Sequence, residues 1–126
     1  MADLLSALGL AASGMEAQST RLRHVSENLS NADTPGYRRK LISFEQSMTD
    51  GTVSAGPVTL DQTALSRVYD PGNPLADETG HYDGSNVDLV IEMADAREAQ
   101  RSYEANLKLF DQARQMTQSL FELLRR

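Results

Sequence analysis

Residues 4–32 read LLSALGLAASGMEAQSTRLRHVSENLSNA, and this stretch decides the fold because its apolar residues recur at alternating steps of three and four, with no proline among them. That spacing predicts an α-helix with one continuous seam. Two rows at intervals of seven build the seam, and each is mostly apolar. They are Met1, Leu8, Met15, Leu22 and Leu29, and Leu4, Ala11, Gln18, Val25 and Ala32.

Turn-forming residues close this first helix. Pro35 disfavours the helical conformation at Thr34, and Asn31 is expected to take the left-handed geometry that ends a helix. Nearer the start, Ser13 and Glu16 have the spacing of a capping box. This pattern predicts a frayed or restarted first turn.

The other end of the chain carries a second stretch of helical character. From about Asp88 to Leu124 it contains neither Gly nor Pro. Ser85, Asn86 and Asp88 offer capping side chains at its start. The row assigned to its packed face is Leu89, Met93, Ala96, Tyr103, Leu107, Phe110, Ala113, Leu120 and Leu124.

Between the two helices lies a segment that holds all four prolines and six of the eight glycines. Candidate strands occur at residues 41–44, at Val53, at residues 58–60 and at residues 66–69, and the middle two are expected to pair as a hairpin. The sequence therefore predicts a mainly α fold, α+β overall. Two long terminal helices pair as a coiled coil, and a short irregular or β segment joins them.

Three segments follow from this division. Residues 1–34 form an N-terminal helix of the core, residues 35–86 a turn-rich acidic middle with short strands or a hairpin, and residues 87–126 a C-terminal helix of the core. At about 1.5 Å per residue the helices would be about 40 and 55 Å long, too long for a compact chain of 126 residues.

The apolar side chains available for a core are small. Aromatic residues make up 6% of the chain, Trp is absent, and many apolar positions are Ala. We infer that the two ends order fully when neighbouring subunits cover them. Polar residues inside the stripes, Gln18, Asn106 and Arg114, are expected to fix the register of packing.

The net charge of −6 is concentrated in the middle, where residues 41–88 carry one basic and eight acidic side chains. Such a segment repels nucleic acid and anionic lipid. Arg38, Arg39 and Lys40 form the only basic run, which we expect to be a solvated loop end. Cys is absent, which excludes disulfides and thiolate zinc sites. We expect neither a cleaved signal peptide nor direct membrane insertion.

Residues that suggest chemistry are few. His24 lies beside the helical seam and is expected at the surface or in an interface. A nucleophile elbow and a phosphate-binding Gly-rich loop are both absent, so no enzyme and no cofactor are predicted, although a Ser-His-Asp arrangement stays open. One loop could hold a divalent cation and would then suggest a metal-assisted hydrolase, but a solvated acidic loop is the favoured interpretation. Its residues are Asp77, Glu78, His81, Asp83 and Asp88.

Residues 28–37, which follow the first helical stretch, read NLSNADTPGY. They resemble the Asn-x-x-Asn-x-x-Thr-x-Gly-Tyr signature of bacterial flagellar rod and hook proteins. Two further stretches resemble the proximal rod branch of that family: residues 68–77, and residues 86–88 leading through residues 92–93 and 99–106. The resemblance covers nearly the whole chain and is least specific over residues 41–66. The signature positions are Asn28, Asn31, Thr34, Pro35, Gly36 and Tyr37.

This resemblance implies a structural subunit of the flagellar basal-body rod, which spans the periplasm. Such a subunit assembles helically with other axial proteins, transmits motor torque, and meets other rod subunits, membrane-ring proteins and rod-adaptor proteins. It also implies delivery by the flagellar type III export machinery. The alternatives are a sibling rod protein and, in another class, a helical adaptor or export chaperone. Subunit packing is assigned to Leu8, Met15, Leu22, Val25, Leu29, Met93, Tyr103, Leu107, Phe110, Leu120 and Leu124.

Overall fold

The structure is a computed structural model that describes residues 2–125. Two helices, α1 (Ala2–Ser30) and α2 (Leu89–Arg125), flank a middle with short strands. The predicted fold class is therefore confirmed. Met1, predicted in the first seam, and Arg126 lie outside the described residues. The strands are β1 (Lys40–Leu41), β2 (Phe44–Gln46), β3 (Val53–Ala55), β4 (Thr59–Leu60), β5 (Arg67–Tyr69) and β6 (His81–Asp83).

Helix α1 runs unbroken through the position where the capping box predicted a restart, so that prediction is wrong. The Ser13 hydroxyl does not cap a new helix. It donates to the Leu10 carbonyl at 2.8 Å and accepts the Val53 N–H at 3.1 Å. Ser13 thus ties strand β3 to the middle of α1.

Polar side chains end α1 without a left-handed asparagine. Among the described residues no residue other than glycine has a positive φ, so the geometry predicted for Asn31 is wrong. The Asn31 amide instead donates to the Glu27 carbonyl at 2.8 Å, and its oxygen accepts the Thr34 hydroxyl at 3.1 Å. The left-handed position falls at Gly36, where φ is 75°.

Helix α2 starts where the capping pattern placed it. The Asp88 carboxylate accepts the Val90 N–H at 2.9 Å, which confirms Asp88 as the cap. A capping role for Asn86 is wrong. Its amide oxygen accepts the Arg39 N–H at 2.7 Å, and its nitrogen donates to the Asp61 carbonyl at 2.9 Å. Asn86 therefore fastens the start of α2 to the middle segment.

The strands form three antiparallel pairs, β1 with β4, β2 with β3, and β5 with β6. The first two pairs belong to one interrupted hairpin, in which Lys40 faces Leu60 and Phe44 faces Ala55. The predicted hairpin between Val53 and residues 58–60 is wrong, because residues 47–52 make the turn that joins β2 to β3. Strand β6 was not predicted.

The helices pack against each other in antiparallel fashion. Asn28 contacts Glu92 at one end, while Gly14 faces Asn106 further along. Because α1 has 29 residues and α2 has 37, this register carries about the last two turns of α2 past the start of α1. Neither helix is apolar enough over a sufficient length to cross a bilayer.

The buried hydrophobic core is thin, as predicted. It consists of four alanines and one valine, so few large apolar side chains are removed from water within one chain. Large apolar side chains of both helices remain exposed. The buried set is Ala11, Ala17, Val25, Ala99 and Ala113.

Candidate functional site

The site is the junction where α1 ends, β1 passes and α2 begins. Its centre is polar, because Asn28 and Glu92 are the two largest fully buried side chains of the described residues, at 1% and 0% exposure. Buried polar groups are costly unless they are hydrogen-bonded. The partners of these two side chains therefore decide whether the junction holds.

Both polar atoms of the Asn28 side chain have hydrogen-bond partners. Its amide oxygen accepts the Tyr37 hydroxyl and the Lys40 N–H, both at 2.8 Å. Its amide nitrogen donates to the Lys40 carbonyl at 3.1 Å and to the Glu92 carboxylate at 3.2 Å. One side chain of α1 thus holds the loop after it, strand β1 and the first turn of α2.

Glu92 also receives a charged partner. The Arg39 Nε donates to its carboxylate at 2.6 Å, and the same guanidinium lies 3.3 Å from Asp61 and 3.5 Å from Asp95. A guanidinium with several planar donors suits such a shared contact. We call Asn28, Tyr37, Arg39, Lys40 and Glu92 the junction network.

The basic run is not a solvated loop end, and that prediction is wrong. The Arg39 side chain is mostly buried, and the Lys40 ammonium pairs with Glu27. Burial alone lowers the pKa of Arg39, but its hydrogen bonds to Glu92 and Asp61 outweigh burial and raise that pKa. The hydrogen bond between Lys40 and Glu27 raises the pKa of the ammonium and lowers that of the carboxyl.

The six signature positions do two jobs. Asn28 and Tyr37 join the junction network, and burial raises the pKa of the Tyr37 hydroxyl. The others shape the turn. The Thr34 hydroxyl donates a hydrogen bond to the Asn31 side chain, and the Gly36 N–H donates to the carbonyls of residues 83 and 84 at 3.2 and 3.0 Å. Pro35 is exposed.

Sequence reasoning missed the roles of Arg39, Asn86 and Glu92 in this site. One local signal existed, because Glu92 is the one charged side chain in the apolar run of residues 89–94 at the start of α2. A carboxylate in such a position is either exposed or paired, and here it is paired and buried.

The residues assigned to subunit packing are distributed unevenly. Val25 is buried in the chain itself, and several others are partly buried: Leu8, Met15, Leu22, Leu29, Tyr103, Phe110 and Leu120. Met93, Leu107 and Leu124 are exposed. Their contacts with other subunits stay a prediction.

Four polar residues near the seams differ from expectation or refine it. Asn106 packs against Gly14, but Arg114 is exposed and lies 3.7 Å from Asp111, so its place inside the stripe is wrong. His24 is buried in the isolated chain, so the surface prediction is wrong. The Gln18 amide oxygen is buried, with no hydrogen-bond partner among the described residues.

The acidic loop is organised by a cation of the chain itself. Arg67 lies 2.6 Å from Asp77 and 3.0 Å from Asp83. Asp77 also accepts the Thr79 hydroxyl at 2.6 Å, and these contacts hold its pKa well below the usual range. Within residues 2–125 no group of three or more potential ligands is placed to hold a metal ion.

Comparison with known proteins extends to both helices. A family model described as "Flagella basal body rod protein" matches residues 8–38, and one described as "Flagellar basal body rod FlgEFG protein C-terminal" matches residues 78–123. The flagellar basal-body rod protein FlgC of Agrobacterium fabrum is 46% identical over 99% of this chain and 98% of its own length. The chain belongs to the flagellar basal-body rod protein family.

Other rod proteins agree. The FlgC proteins of Escherichia coli O6:H1 and Aquifex aeolicus are 37% and 36% identical, over 90% and 97% of this chain and 92% and 98% of their own. The prediction of a structural rod protein of the flagellar basal body is confirmed. Membership implies assembly with other flagellar rod and basal-body proteins.

The junction network joins the two matched regions of this rod protein. Asn28 and Tyr37 lie in the N-terminal match, and Glu92 lies in the C-terminal match. Arg39 stands one residue beyond the N-terminal match and contacts Glu92 directly. Side chains within the two matched regions, together with Arg39 and Lys40 between them, thus hold these regions together in addition to helix packing.

Proposed function

We propose that this chain is a structural subunit of the proximal rod, assembling helically with other axial proteins to transmit motor torque. Its helices pack with those of neighbouring subunits to form the wall of a tube, and the acidic middle lies outside. The observation that carries the proposal is the mismatch between two long helices and a core of four alanines and a valine.

The free energy of folding favours burial of the exposed apolar side chains of α2 against neighbouring subunits. Ordering a residue costs roughly 1–2 kcal/mol of backbone entropy, and burial of apolar surface must offset that cost. In this chain Met93, Leu107 and Leu124 are 51%, 41% and 71% exposed, so much apolar area of α2 is still available. Packing against other subunits would bury it.

Torque transmission needs many contacts that share the load. Lateral packing of helices supplies such contacts along the tube. The junction network supports this role, because it fixes the start of α2 to the end of α1 and to β1 through buried, fully paired side chains. A load applied to the helices is then carried into the middle segment without a loose hinge.

The proposal includes delivery by the flagellar type III export machinery and contacts with membrane-ring and rod-adaptor proteins. A thin core and the absence of Cys suit a subunit that must be passed in an unfolded state and then fold at the tip.

The test is complementation of a strain that lacks this gene with a Leu107→Asp variant, scored by swimming and by isolation of basal bodies. Leu107 is exposed in the single chain, so the variant should keep its fold, yet a charge in a packed seam costs several kcal/mol. We expect loss of rod assembly.

The matched control is Leu75→Asp, the same change at an exposed leucine of the middle segment. We expect this variant to swim. Normal assembly with Leu107→Asp would contradict the proposal, and loss of assembly with both variants would contradict the placement of the middle segment outside the tube.

A further inference from the structure

Helix α2 carries a second apolar row that lies beside the face packed on α1. Leu109, Met116 and Leu123 recur at intervals of seven and are 58%, 58% and 66% exposed. A period of seven is typical of the seam between two helices that pack along their length. The row borders a shallow groove lined by Gln112, Gln115, Met116, Ser119, Leu120 and Leu123.

We propose that this row pairs with the same row of a second copy of the chain, with the two α2 helices antiparallel. A second set of positions, also seven residues apart, falls between those of the row along the same face of α2. These positions hold small or uncharged residues, Ala105, Gln112 and Ser119. In an antiparallel seam each row position faces one of these alternating positions. Leu109 then faces Ser119 of the second copy, Met116 faces Gln112, and Leu123 faces Ala105.

Size favours this arrangement over a parallel one. The antiparallel pair sets a large side chain against a small or flexible one in every layer. A parallel pair would stack Leu109 on Leu109 and Ser119 on Ser119, so that wide and narrow layers alternate. Close-packed interfaces need layers of even volume.

Charge also favours it. Lys108 and Glu122 each stand one residue before a leucine of the row, on the exposed side of the seam. In the antiparallel register Lys108 of one copy lies beside Glu122 of the other, and two-fold symmetry repeats the pair. In a parallel register Lys108 lies beside Ala113, and no opposite charges meet. Between these two residues the chain carries two charges, Asp111 and Arg114, which are opposite in sign and lie 3.7 Å apart, so the copies do not repel there.

This dimer of two chains goes beyond the proposed function, because a closed two-fold dimer cannot extend along a tube. It would hold subunits as dimers before export, and the dimers must open before the unfolded chain is delivered. The seam is only about two heptads long, so we expect dissociation constants in the micromolar range or weaker. A failure of this inference leaves the rod assignment untouched, since it is measured on the free chain.

The experiment is sedimentation equilibrium of the full chain over a wide concentration range. We compare the wild type with Lys108→Glu, Glu122→Lys and the double variant, all of which change exposed side chains. Each single change places like charges together twice per dimer and should weaken it by about five- to twentyfold. The double variant restores opposite charges and should return to within about threefold of the wild type.

Glu104→Lys is the control, because Glu104 is also exposed on α2 but points away from the seam. It should leave the dissociation constant within about twofold. A chain that stays monomeric at every concentration overturns the inference. So does a double variant as weak as the singles, because only the antiparallel register predicts rescue.

Discussion

Arg39 and Glu92 stand 53 residues apart in the chain and form an ion pair of 2.6 Å in which the carboxylate is fully buried. The pair joins the residue just before β1 to the first turn of α2. A buried carboxylate keeps its charge only where partners replace the lost water. Asn28 supplies the second contact to the Glu92 carboxylate. Removal of either the Arg39 or the Asn28 side chain would therefore leave a buried polar group without a partner.

The first prediction concerns this pair. Glu92→Gln removes the charge but keeps the size of the side chain, and leaves the Arg39 guanidinium with its weaker contacts to Asp61 and Asp95. We expect the free energy of unfolding to fall by about 3 kcal/mol, at the lower end of the cost of removing one partner of a buried pair, because Arg39 keeps Asp61 and Asp95. Urea unfolding followed by circular dichroism measures it.

Glu98→Gln is the matched control for this change. Glu98 lies on the same helix, and its exposed carboxylate is 3.4 Å from Arg21. An exposed ion pair contributes little, so we expect a change below about 0.5 kcal/mol. Equal effects of the two variants would argue against the special role of the buried pair.

The second prediction concerns the signature tyrosine. Tyr37→Phe removes the hydroxyl that donates to the Asn28 amide oxygen at 2.8 Å, while the Lys40 N–H still donates there. We expect a loss of about 1 kcal/mol in the free energy of unfolding. Tyr82→Phe, in β6, should cost less, since no hydrogen bond of its hydroxyl occurs among the described residues. If the Tyr37→Phe variant is as stable as the wild type, the Tyr37 hydroxyl does not stabilise the junction.

The parts of this fold that the sequence predicted are those with local causes. The limits of α2 follow from a run without Gly or Pro and from the Asp88 side chain two residues from the N–H it accepts. The same holds for α1, whose seven-residue rows place Ala11 and Val25 in the core. Such signals act within a few turns and are visible in a single chain.

The parts that were missed depend on partners far away in the chain. The strands have two or three residues each, too few to show alternation, so β2 was not matched to β3 before the structure was known. Asn86 looked like a cap because its type suits caps, yet it bonds Arg39 and Asp61. Nothing in residues 38–40 alone tells which carboxylates Arg39 will meet.

The third prediction concerns the acidic loop. The hydrogen bond from the Thr79 hydroxyl is the main cause of the lowered pKa of Asp77, followed by the bond from Arg67. Thr79→Val should therefore raise the pKa of Asp77 toward the ordinary value of about 3.9. Titration of the carboxyl carbon by NMR measures the shift. An unchanged Asp77 pKa in the variant would show that Arg67 and the backbone N–H groups of Thr79 and His81 account for the shift.

The sign of the pH effect follows from that direction. Because the folded pKa of Asp77 is lower than the unfolded one, its contribution to stability is present above about pH 4 and is lost as the pH falls toward the folded pKa. The β5–β6 pair should loosen on acidification below about pH 4. Asp77→Asn should remove this part of the pH dependence, which amide exchange in residues 67–69 and 81–83 would report.

The fourth prediction compares two glycines inside α1. Replacing a helical glycine with alanine normally stabilises a protein by about 1 kcal/mol, because alanine has the higher helix propensity. At Gly9 an added Cβ would meet nothing within 4 Å, so Gly9→Ala should show that gain. At Gly14 the Cβ would lie 2.7 Å from the Asn106 amide nitrogen and 2.9 Å from its Cγ, so the side chain or the helix must move.

Overpacking of this kind costs about 1–3 kcal/mol, which exceeds the propensity gain. We therefore expect Gly14→Ala to lower the free energy of unfolding by about 1 kcal/mol, opposite in sign to Gly9→Ala, when both are measured by urea unfolding. Adding Asn106→Ala removes the colliding group and should recover most of the loss, a coupling that a double-mutant cycle quantifies. If Gly14→Ala stabilises the chain as Gly9→Ala does, close approach of α1 and α2 at Asn106 does not set their register.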